Sequence, residues 1–131
     1  MKFFAVVVIL GLASLAFAQT SPANVPKYDA KAEQIFKGTV ENIIERRCPV
    51  SGGVGSHIQL RLQDDSSIQV HLATTEFTKM IEMNLRQGDK VEVVGFKTEF
   101  EGVPTIFARS VTRGIDTFIF RDKEGGPAWQ R

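Results

Sequence analysis

Cysteine is nearly absent from this chain: Cys48 is the single one among 131 residues. One thiol cannot close an internal disulfide, so packing alone must hold the fold. An odd thiol in an oxidising compartment is buried, paired between chains or bound to a metal. Surplus charge is missing as well. The 16 basic and 15 acidic residues nearly cancel, and losing Lys2 with a leader would make the balance even. Non-specific nucleic-acid binding depends on excess Lys and Arg that displace counterions. Glu45-Arg46-Arg47 is the one hint of a local basic patch. Catalytic signatures are lacking too: there is no Gly-x-Ser-x-Gly. Ser51-Gly52-Gly53-Val54-Gly55-Ser56 has no phosphate-loop lysine and precedes a strand. Asp64-Asp65 sits in a turn, where Asp commonly serves local hydrogen bonds. The chain is not expected to be an enzyme, and no cofactor is expected.

The only long apolar run lies at the start. Lys2, the run from Phe3 to Ala16 and the small–x–small triplet Ala16-Phe17-Ala18 read as a secretory signal peptide over residues 1–18. The run is short for a membrane span and passes into polar sequence without flanking charge. Export to the periplasm or medium is therefore expected, with no membrane span after cleavage. Gln19–Tyr28 is polar, carries prolines and has no periodicity, so residues 19–30 form a linker. Residues 31–131 remain as one domain, expected to be a monomer.

What is present is alternation. His57–Leu72 (HIQLRLQDDSSIQVHL) holds two period-2 runs around a polar turn, which predicts a β-hairpin. Pairing Leu62 with Ile68, Leu60 with Val70 and Ile58 with Leu72 puts the aliphatic side chains on one face. The same register places Arg61 opposite Gln69, Gln59 opposite His71, and His57 diagonal to His71 on the other face.

Ile35–Arg46 is a further strand with Phe36 and Val40 inward, and Gly38 marks a bend. Cys48–Ser56 reads as a loop. Thr74–Arg86 reads as a helix, capped by Thr74 or Thr75 and stopped at Gly88, with Phe77, Met80, Ile81 and Leu85 as its core stripe. Asp89–Phe100, kinked at Gly95, and Val103–Val111 are a second strand pair, and Thr117–Arg121 is a short sixth strand. The order strand, strand, strand, helix, strand, strand makes the chain all-β with one helix. It fits a five-stranded Greek-key barrel of the OB-fold kind with a helix between strands 3 and 4 and an extra C-terminal strand. Trp129 is expected to fold back over an apolar patch and give its Nε1–H to an acceptor, or else to offer a stacking platform to a ligand.

Several pieces together resemble a family of small exported bacterial OB-fold-like proteins. They are Tyr28-Asp29, Lys37-Gly38-Thr39-Val40, Gly55-Ser56-His57, Val70-His71-Leu72, Gly88-Asp89-Lys90-Val91 and the ending Arg121-Asp122-x-x-Gly125-x-Pro127-x-Trp129. Where that family tends to read His-Leu-Gly-Pro, this chain has His71-Leu72-Ala73-Thr74. The resemblance implies export and an OB-type fold, and it supplies no activity.

Three functions follow from different classes. The first is a non-catalytic exported binding module, taking an unknown protein or small molecule on the hairpin face of His57, Gln59, Arg61, Gln69 and His71, with Trp129. The second is a transition-metal protein in which His57 and His71, with Cys48 as a third donor, form an N₂S set suited to copper or zinc. Its affinity would fall as pH drops through the free-histidine value near ~6.5. The third is a single-strand nucleic-acid binder, disfavoured by the charge balance and by a hairpin face without aromatic rings.

Overall fold

Period-2 alternation does become strands. The computed structural model describes residues 25–130, and they form six strands, one short α-helix and two single-turn 3-10 helices. In chain order these are β1 (Glu33–Cys48), β2 (Gly53–Leu62), β3 (Ser67–Thr74), α1 (Thr75–Met80), β4 (Lys90–Phe100), β5 (Val103–Arg113) and β6 (Asp116–Ile119). The sheet runs β3-β2-β1-β4-β5-β6, antiparallel at each of these steps, and β3 also pairs in parallel with β5. The chain is thus mostly antiparallel sheet. No helix among the described residues is long and apolar enough to cross a membrane. The leader over residues 1–18 and the start of the linker lie outside the described residues.

The core follows the alternation. Val40, Ile58, Leu60, Val70, Val93, Ile106, Val111 and Phe120 are buried in one apolar cluster. Two glycines let strands press closely. A Cβ on Gly38 would strike the Arg61 carbonyl. One on Gly95 would lie 2.6 Å from the Phe107 carbonyl and 2.8 Å from Ile106 Cγ2. Because a backbone atom is the obstacle at Gly95, Gly95→Ala is expected to destabilise by roughly 1–3 kcal/mol, read as a shift in the urea midpoint. An unchanged midpoint would show that β4 and β5 can part there without cost.

The hairpin keeps its faces but not its expected register. Leu60 pairs with Ile68, Ile58 with Val70, Gln59 with Gln69, and His57 with His71. Each of these pairs is displaced by two residues from the sequence expectation, which preserves the inward set. The turn explains the shift. Leu62 N–H donates to the Ser66 carbonyl (2.8 Å) and Asp65 takes φ 70°, giving a three-residue loop whose left-handed position is filled by Asp, not Gly. Asp64 Oδ1 accepts from the Ser66 N–H and hydroxyl and steadies the loop.

Other boundaries move too. Strand structure continues through Cys48 and resumes at Gly53, so the expected loop Cys48–Ser56 shrinks to residues 49–52. The expected helix Thr74–Arg86 stops at Met80. Thr74 caps it, its hydroxyl accepting from Phe77 N–H at 3.0 Å. Glu82 then turns left-handed (φ 57°), and Met83 N–H reaches back to the Thr78 carbonyl, a Schellman ending six residues before Gly88. Met80 consequently points to solvent, while Leu85 stays buried. The sixth strand starts at Asp116 and leaves the ladder after Ile119.

Both ends of the described chain are tied down. Tyr28 donates to Glu33, which also takes two hydrogen bonds from Arg109 at 2.6 and 3.1 Å. The buried Arg121 guanidinium lies 5.0 Å from the Tyr28 ring and 5.0 Å from the Trp129 ring, and donates to the Gly125 carbonyl. The aromatic contact offsets part of the cost of burying that cation.

Candidate metal centre

The hairpin is also where the chemistry gathers. On β3 one residue is inserted between the pairs Ser56–Ala73 and His57–His71, so Leu72 forms a bulge. A bulge re-aims the side chains beside it. Here the two imidazoles meet directly across the ladder, ring centres 4.2 Å apart and planes perpendicular. Cys48, the last residue of β1, brings its sulfur to 3.4 Å from His71 Nδ1. One donor atom from each of Cys48, His57 and His71 lies within 4.8 Å of the others, and all three residues are buried.

Hydrogen bonds assign the imidazole protons. His57 Nδ1 faces the Ile44 carbonyl at 3.3 Å, and a carbonyl only accepts, so the proton belongs on Nδ1. Its Nε2 is then a bare lone pair, buried and without a hydrogen-bond partner. An imidazole fixed by Nδ1–H on a carbonyl with Nε2 free is how metal-ligating histidines are commonly held. His71 is set through a relay. Arg46 donates to Gln69 Oε1 at 2.7 Å, which turns the Gln69 NH₂ toward His71 Nε2 at 3.4 Å. The His71 proton therefore sits on Nδ1, facing Cys48 Sγ. Coordination through Nδ1 would move that proton to Nε2 and turn the Gln69 amide.

Burial holds both rings neutral. Desolvation, then the neighbouring His57, Arg46 and Arg121 charges, push His71 down to about 3. Desolvation and Arg46 lower His57, against the opposing pull of the Ile44 and Gly55 backbone carbonyls. Proton competition for these nitrogens therefore begins below the ~6.5 expected of free imidazoles. Phe100 and Phe107 complete the surroundings, their ring centres 5.3 and 5.1 Å from that of His71.

Of the other residues expected on the hairpin face, Gln69 reaches the cluster at His71 Nε2 and the rest do not join it. Gln59 and Gln69 pair with each other and are half-buried. Arg61 is exposed and lies 3.8 Å from Glu41. Trp129 packs on the main core and on Arg121, and its Nε1–H is buried without the expected acceptor. The histidine end of the face is interior. Gln69 was expected on this face, whereas Arg46, Phe100 and Phe107 were missed as parts of the site. The alternating pattern around Arg46 marks only a sheet face, and no local signal links either Phe to the hairpin.

A comparison with curated proteins found no match. Residues 32–118, which hold Cys48 and both histidines but stop short of the Arg121–Trp129 ending, match the family model described as "MamS/MamX magnetosome protein family". That match spans well over half of the 131 residues, and the chain belongs to the MamS/MamX magnetosome protein family.

Proposed function

We propose that the chain is an exported, non-catalytic metal-binding module. Its scaffold is an OB-type barrel, and its ligand is one transition-metal ion held by Cys48, His57 and His71. The observation that carries the reading is His57 Nε2, a basic nitrogen inside the protein with no hydrogen-bond partner. A buried lone pair without a partner is costly, and a metal bond to it would relieve that cost. The thiol and second imidazole within 4.8 Å supply the rest of an N₂S set. Catalysis at zinc requires an open position for water or substrate, and burial of all three residues argues for a closed centre.

The scaffold reading is supported by the strand circuit. Parallel pairing of β3 with β5 joins β1-β2-β3-β5-β4 end to end, with the helix between β3 and β4, as a five-stranded Greek-key barrel requires. Export is supported by the leader sequence of residues 1–18.

Calorimetry on the chain without its leader tests the function. Zinc and copper(I), each kept with the thiol reduced, should bind at one ion per chain. His57→Ala and His71→Ala should each weaken binding by about 100-fold or more, whereas Gln59→Ala and Arg61→Ala should not change it. If neither metal binds above the level of the variant lacking both histidines, the proposal fails, and an organic or protein ligand on the Gln59–Arg61 side becomes the better reading.

A further inference from the structure

The charge and number of the donors say which ion suits this centre. Cys48 offers the only anionic ligand atom of the group, which includes no carboxylate. A thiolate with a monovalent ion is neutral, while a divalent ion would leave one uncompensated positive charge. The surroundings penalise that surplus. Cys48 is 4% exposed, His57 1% and His71 4%, and two phenylalanine rings flank His71. The nearby charge is also of the wrong sign for a dication. Arg46 is held one side chain away from His71, through Gln69. A buried net charge is tolerated when paired, and here the neighbour repels it.

Donor count agrees with donor charge. Structural zinc centres are almost always four-coordinate, and this group has three ligands among the described residues. Thiolate softness favours cuprous copper over harder ions. The sulfur–nitrogen separation fits as well. Bonds of ~2.0–2.3 Å at tetrahedral or trigonal angles put N and S roughly 3.5–3.7 Å apart, against the 3.4 Å between Cys48 Sγ and His71 Nδ1.

We infer that the ion for which this centre is built is Cu(I), held three-coordinate by Cys48 Sγ and one nitrogen each from His57 and His71. The inference rests on the metal-centre reading and adds the oxidation state, the coordination number and the discrimination against zinc. No electron transfer is needed: Cu(I) is taken up as such and the thiol proton is released.

The test loads the reduced chain without its leader with Cu(I) buffered by a colorimetric chelator, and separately with Zn(II). X-ray absorption on the copper-loaded wild type should give a three-coordinate Cu(I) edge with two nitrogens and one sulfur. Affinity for Cu(I) should exceed that for Zn(II) by about a thousandfold or more, and Cys48→Asp, which keeps the charge with a harder atom, should reverse the order. Zinc held as tightly as copper by the same three residues would overturn the cuprous assignment and leave the metal centre standing. Copper held equally well by the chain lacking both histidines would mean the thiol acts alone, which overturns the three-coordinate assignment. Failure of both ions to bind would remove the centre itself. The absorption measurement needs no variant, so it decides even if a substitution prevents folding.

Discussion

Val70→Asp should abolish cooperative folding at neutral pH. Val70 is 0% exposed, pairs with Ile58 on β2 and with Ile106 on β5, and so stands where three strands meet. An aspartate there has two choices. Ionised, it places a charge in an aliphatic cluster with no cation among the buried members; neutral, it pays to hold its proton far above its ordinary range. Either way the cost is several kcal/mol, comparable to the total stability of about 5–15 kcal/mol typical of a domain. The same residue at Gln34, an exposed β1 position opposite Gly95, should cost within about 1 kcal/mol. Thermal unfolding followed by circular dichroism separates the two. A well-folded Val70→Asp chain would mean that β3 does not close against β5.

The faces of the strands were legible in the sequence, and the pairings across them were less so. Alternation has period two, so the inward set Ile58, Leu60, Ile68 and Val70 survives a register error of two residues. The error arose because Asp65, not a glycine, occupies the left-handed turn position. Glu82 misleads in the same way at the end of α1, since a glutamate gives no sign that the backbone will turn there.

The site was legible as a list and not as a place. Cys48, His57 and His71 could be named as an N₂S set from residue chemistry alone. Their burial could not, because polar residues alternating with apolar ones read as an exposed face. That face becomes interior at one end because Phe100 and Phe107, some 30 to 50 residues further on, pack over it. The Leu72 bulge, which sets His57 straight across from His71, likewise depends on backbone pairing that no residue type announces.

Acid should unfold the chain earlier than its carboxylates alone would, and this follows from the same burial. In the unfolded chain both histidines titrate near ~6.5. In the folded chain His71 stays neutral down to about 3, and His57 is lowered as well. Between those values the unfolded state binds protons that the native state refuses, so stability is complete above pH ~6.5 and falls as the pH drops. At about 1.36 kcal/mol per unit, His71 alone removes on the order of 3 kcal/mol by pH ~4. Glu33 and Asp89 are also lowered, chiefly by the hydrogen bonds from Arg109 and from the Arg86 backbone respectively. Their contribution is present above the ordinary carboxylate range and is lost only below pH ~4.5. The window from pH ~6.5 to ~4.5 therefore reports the histidines. Urea unfolding of the chelator-treated protein across that window should show stability rising with pH, and His71→Phe should lower the slope. A flat profile there in the wild type would mean that the two rings are open to solvent, and the buried centre would fall with it.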